Sequence, residues 1–180
     1  MIVETSRFGE LEIDENKVIE FPEGLPGFET HRRFTFVAHE NALHGGASPF
    51  RWMQSLESSN LAFLAVEPKH YFADYAPKIS SGELESIGLT SLCESVQLFA
   101  ILTVPVGDPR GITANLLAPI AVNIDQRVGR QVVAMGDDYG LRHRLLGAQE
   151  DTASCSNVSR NGSKRNHNAN GRVAVASSRE

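Results

Sequence analysis

With only two cysteines, Cys93 and Cys155, in 180 residues, the chain can build neither a disulfide framework nor a cysteine-ligated zinc site. It has no apolar run approaching the roughly eighteen residues of a membrane-spanning helix, so no membrane segment is expected. The opening MIVETSRFGE has no basic region followed by an apolar stretch, and no secretory signal is read there. Together these absences predict a cytoplasmic protein. G-x-x-x-x-G-K, G-x-G-x-x-G and G-x-S-x-G are all missing, which removes the phosphate-cradling loops and the nucleophile elbow. Cationic excess is missing too. Up to Glu150, 12 Lys plus Arg stand against 20 Asp plus Glu, a net charge of −8, and from Asp151 onward 5 stand against 2, a net charge of +3. An acidic body does not suit direct binding of nucleic acid, whose phosphates require a basic face. It can attract a basic protein.

What the chain does have centres on LAFLAVEPKHYFADY, Leu61 to Tyr75. The apolar run Leu61 to Val66 is too short for a core helix and predicts a strand buried on both faces. Glu67-Pro68 removes a backbone donor and should end its pairing. Tyr71, Phe72, Asp74 and Tyr75 follow within five residues, where a solvated loop would be polar. The rings either cap the core or form a contact patch for another protein.

Before this stretch, Phe8, Leu11 and Ile13 interleave with Glu10, Glu12 and Asp14, which predicts a strand with a charged outer face. Lys17 to Phe21 reads as the returning strand, with Glu15-Asn16 in the turn. FPEGLPGFE, Phe21 to Glu29, is turn chemistry that also carries Leu25 and Phe28. Those two must be buried under the loop or offered to a partner. Phe34 to Ala38 is the next expected strand, and His39 to Ser48 an excursion with Gly45-Gly46 at its tip. The spacing of His31, His39 and His44 matches no known metal motif, and no metal is expected. Pro49 to Ser55 holds the single tryptophan, Trp52, a core or interface residue.

After Tyr75, Ser80 with Glu83 forms a capping box and Gly88 a C-terminal stop, around two turns of helix. Val96 to Val104 is a further strand, closed by Pro105 and the turn Gly107 to Gly111. Thr113 to Asn123 is another, interrupted by Pro119 so that a strand beginning at Ile120 is one reading. Gln131 to Met135 and Tyr139 to Leu145 complete the expected strands. From Asp151, thirteen of thirty residues are Ser, Asn or Gly and the only large apolar groups are three valines, a composition expected to stay disordered. The predicted organisation is therefore a β domain over 1–150 and a disordered tail over 151–180.

The ordered blocks FPEGLPGFE, PFRWMQS, LAFLAVEPKHYFADY, TANLLAPIAVN and GRQVV resemble the flagellar assembly factor FliW family across essentially Val3 to Leu146. Glu67 stands where that family usually has aspartate and Met53 where it usually has leucine; the 39–48 loop is long and the tail is extra. The resemblance implies an all-β, mostly antiparallel, β-barrel-like single domain with one or two short helices. It implies a cytoplasmic protein with no catalytic activity and no cofactor, a monomer when free, that binds flagellin. It also implies binding of CsrA, the dimeric RNA-binding repressor of flagellin translation, so that FliW antagonises repression by exchanging partners, away from the RNA surface of CsrA.

The residues themselves supply a candidate surface for such partners. Tyr71, Phe72, Asp74 and Tyr75 form one expected patch, with Glu67 facing a basic partner and with Leu25 and Phe28 as a second patch. The competing reading is a small β-barrel enzyme or ligand-binding protein whose polar groups come from the loops. A subunit of a larger structural assembly is the third.

Overall fold

The apolar run at the centre of the sequence becomes strand β6 (Ala62–Val66) of a computed structural model that describes residues 1–38, 48–92 and 95–145. The expectations for the 39–47 excursion, for Cys93 and Cys155 and for the tail lie outside these residues. β6 lies between β5 (Phe50–Ser55) and β7 (Val96–Thr103), antiparallel to both. Phe63 and Ala65 join one buried cluster and Val66 another, with Leu64 packed against the latter. Both faces are covered, as the unbroken run predicts.

From β5 the sheet continues through β4 (Arg33–Ala38), β3 (Val18–Glu20), β10 (Val128–Gln131) and β9 (Ile120–Asn123), and β9 pairs back onto β7. The seven strands form a closed barrel. Every pairing in this circuit is antiparallel except β3 with β10, which is parallel at Glu20 and Val128. The barrel interior holds Phe21, Leu25, Phe34, Met53, Phe63, Phe99 and Ile120.

Two smaller apolar layers lie outside the barrel. One places Tyr75, Leu116 and Leu145 over Val66, Ala100 and Leu102; β8 (Thr113–Ala114) and β11 (His143–Arg144) extend the sheet there. In the other, Ile87 packs with Ala121 and Val132. Its support is the short helix α1 (Ser81–Glu85), whose Ser80 hydroxyl accepts the Glu83 N–H at 3.3 Å, while Gly88 turns the chain at φ +76°. The capping box and the glycine stop both stand where the sequence puts them. No described helix is long and apolar enough to cross a membrane.

Three expected strands differ in detail. β2 (Gly9–Glu12) pairs with β1 (Ile2–Thr5), not with the 17–21 segment. The Asp14 carboxylate accepts the Asn16 N–H at 2.9 Å and caps a 3-10 turn over Glu15–Lys17, which redirects the chain into β3. Glu10, Glu12 and Asp14 are exposed and Ile13 is buried, in keeping with the alternation. The strand expected at 131–135 starts earlier, at Val128, because Arg127, at φ 57°, makes the turn. Its irregular continuation still bonds, Val132 N–H to Pro119 O and Ala134 N–H to Leu117 O. Of Tyr139 to Leu145 only His143–Arg144 pairs as a strand. Gly140 instead folds back so that its carbonyl accepts from Leu116 and Leu117.

Candidate functional site

Pro68 ends β6 as its sequence position predicts. It opens a 3-10 turn over Pro68–His70, and the Tyr71 and Phe72 amides both donate back to its carbonyl, at 3.0 and 2.8 Å. A second turn brings the Tyr75 N–H to the Phe72 carbonyl at 3.0 Å. The 67–75 segment is thus a pair of hydrogen-bonded turns, and it presents its side chains at fixed positions.

Those side chains divide into a root and a surface. Tyr75 is the root. It is 2% exposed, its hydroxyl donates to the Leu116 carbonyl at 2.8 Å and its ring meets Tyr139 edge-on at 4.7 Å. Burial, and then the neighbouring Tyr139, push the Tyr75 phenol well above its ordinary pKa. The contact role expected of this ring does not fit its position, because the satellite core encloses it and its polar atom is already used. Tyr71 and Phe72 are half-buried. Tyr71 lies 5.9 Å from Phe50, and burial raises its phenol pKa as well; Phe72 lies edge-on to His143 at 6.2 Å. Asp74 is exposed and Glu67 half-exposed. Glu67, Tyr71, Phe72 and Asp74 thus keep some exposure on this segment, whereas Tyr75 is buried.

Of the second expected patch, Leu25 is buried and Phe28 is half-buried. Leu25 is 2% exposed inside the barrel, and Phe28 packs edge-on against Phe63 at 5.1 Å. Gly24 and Gly27, at φ +69° and +84°, curl the loop so that the Phe28 N–H reaches the Leu25 carbonyl at 2.7 Å, with Leu25 in the core and Phe28 half-buried against it. An ideal Cβ on Gly24 would lie 2.6 Å from the backbone of Glu29, so the loop closes only with glycine there.

Two residues beside Phe72 were not legible beforehand. Tyr139 and His143 lie more than sixty residues further along the chain, and the pairing of β11 with β8 brings them in. The His143 Nε2 accepts the Gly140 N–H at 2.6 Å, and the Tyr139 hydroxyl accepts the Ala76 N–H at 3.0 Å. No local periodicity encodes these contacts. A cleft of about 600 Å³ opens beside the segment, lined by Glu67, Lys69, Tyr75, Pro77, Leu92 and Leu98 among others. Among the described residues no group of three His, Cys, Asp or Glu could hold a metal ion, and His31 bonds Ser55 at 3.0 Å. Trp52, half-buried, carries the Arg7 guanidinium 3.9 Å from its ring centre and Phe8 edge-on at 6.2 Å. The N-terminal hairpin thus covers the outer wall of the barrel.

Residues 2–145 match the family model described as FliW protein. The chain is 35% identical over 152 residues to the flagellar assembly factor FliW of Leptospira biflexa, covering 84% of this chain and 95% of that protein. It is 37% identical over 144 residues to the protein of the same name from Thermotoga maritima, covering 80% and 93%. A crystal structure of the flagellar assembly factor FliW superposes with a TM-score of 0.70 at 33% identity, covering 81% of this chain and 96% of that one.

Proposed function

Because the chain belongs to the FliW family, we propose that it is a non-catalytic, cytoplasmic factor of flagellum assembly that works by binding proteins: flagellin, and in alternation the translational regulator CsrA. In this reading free flagellin occupies the protein, and its export returns the protein to CsrA and relieves repression of flagellin translation. One observation carries the placement of the contact surface. Tyr71 and Phe72 are half-exposed aromatic rings on a segment held by its own turns and rooted by buried Tyr75. Rigid aromatic groups of this kind supply contact area at low entropic cost and concentrate binding energy. Glu67 and Asp74 flank them with negative charge, which suits a basic partner.

Isothermal calorimetry with purified flagellin and CsrA tests the reading. Phe72→Ala is expected to weaken one partner about thirtyfold, the equivalent of roughly 2 kcal/mol for a central aromatic anchor, while the far-ultraviolet spectrum stays unchanged. Normal affinity of that variant for both partners overturns the surface. Failure of the wild-type chain to bind either partner overturns the function. Addition of both partners should yield binary complexes only, and a stable ternary complex would refute alternation.

A further inference from the structure

β7 runs for eight residues, yet β6 pairs with it only at Ala100 and Ile101. Carried further, that register sets Pro68 opposite Leu98, but Pro68 has no N–H to give and its carbonyl already accepts from Tyr71 and Phe72. On its opposite edge β7 is engaged by β9 at Val96 to Phe99 and by β8 at Leu102 and Thr103. The Ile124 N–H donates to Ser95 O and the Asn115 N–H to Ile101 O. These bonds set the alternation: Gln97, Phe99 and Ile101 address β9 and β8, so Val96 and Leu98 turn their N–H and C=O groups the other way. Among the described residues nothing bonds those four groups. They lie at the cleft of about 600 Å³ beside the 67–75 segment, whose lining includes Val96 and Leu98.

The chemistry of this edge decides what fits it. Donors and acceptors alternate along it with a repeat of about 6.8 Å, twice the rise of an extended residue, and another main chain in extended form returns that pattern. A helix has spent its main-chain groups within itself, and a nucleic acid would bring phosphates to a body of net charge −8. Apolar side chains border the edge: Leu92 is 40% exposed, and Pro77 and Leu98 line the same cleft. They suit an incoming strand with apolar groups at alternate positions. Glu67 and Tyr75 belong both to this cleft and to the segment that carries the Tyr71 and Phe72 rings, so edge and rings are continuous. We propose, resting on the protein-binding reading above, that an extended segment of a protein partner adds as a strand to β7 at Val96 and Leu98.

Amide hydrogen exchange on the full chain, read by NMR with and without purified flagellin or CsrA, tests this. In at least one of the two complexes the Val96 and Leu98 amides should exchange at least about tenfold more slowly than in the free chain, beyond any change at Gln97 and Phe99, which β9 already holds. Val96→Pro deletes one outward N–H and no bond of the sheet, and should weaken that partner about tenfold; Val96→Thr keeps the donor and should bind as the wild type does. If the proline variant does not fold, the exchange rates decide. A complex in which both amides still exchange as in the free chain, with neither partner slowing them, overturns strand addition and leaves the protein-binding reading standing. So does a folded Val96→Pro chain with wild-type affinity for both partners. If neither partner binds the wild type, both readings fall. Slow exchange at the two amides in the free chain, at any concentration, also overturns the proposal, because the chain itself or a second copy then fills the edge.

Discussion

Gly129 and Tyr75 show how tightly single positions are held. An ideal Cβ at Gly129 would lie 2.5 Å from the tip of the fully buried Phe21 ring, and that ring is wedged between Phe34 at 5.2 Å and the β10 backbone. Gly129→Ala is expected to destabilise the fold by about 1–3 kcal/mol through overpacking, measurable as a lower urea midpoint. Tyr75→Phe strands the Leu116 carbonyl and should cost about 1–3 kcal/mol, whereas Phe72→Ala, at a half-exposed ring, should cost clearly less. If the order is reversed, Tyr75 is not the root of the segment. A third residue sets an acid limit. Burial pushes the Glu57 carboxyl up, but hydrogen bonds from Arg33, one of them at 2.9 Å, and the Arg33 charge outweigh it, so its pKa lies below the usual carboxylate value. A depressed folded-state pKa stabilises above the unfolded value and loses that stabilisation as pH falls through the folded one. The stability of the wild type relative to Glu57→Gln should therefore be constant from pH 7 to about 5 and shrink toward zero below about pH 4. A gap in the denaturation midpoints that does not narrow at all as pH falls below about 4 would refute this.

At the scale of elements, α1 depends on its cap. Ser80→Ala removes the acceptor for the Glu83 N–H and should cost about 1 kcal/mol. Glu83 also accepts the Val133 N–H at 3.0 Å, so the variant should loosen the 132–135 segment as well, seen as faster exchange at Val133. Elements like this one were legible because their signals are local: Ser80, Glu83 and Gly88 lie within nine residues, Pro68 ends β6, and Pro119 divides the run into β8 and β9. The partner of β2 was not legible. A charged hairpin reads the same whether it pairs forward or back, and the choice fell to the cap at Asp14. The candidate site divides likewise. The aromatic cluster is visible at 71–75, but which ring is the root depends on Leu116 and Tyr139, supplied from far along the chain. The same holds for Leu25, whose burial depends on the barrel mouth it plugs and not on its own loop.

At the scale of the whole molecule, the acidic balance of residues 1–150, −8, bears on kinetics more than on the fold. If a basic partner is drawn in by this field, its association rate should fall severalfold between about 50 and 500 mM salt while the dissociation rate changes little. Stopped-flow mixing with CsrA would show it, and a rate independent of salt would remove electrostatic steering. The barrel closes where β3 meets β10, joining Glu20 to Val128, more than a hundred residues apart. During synthesis the early strands must therefore wait, unsealed, until nearly the whole described chain has left the ribosome. Such long-range closure makes for slow maturation. The newborn protein thus passes through a window in which its interior is open to chaperones and proteases and the 67–75 segment lacks its contacts with Leu116 and Tyr139.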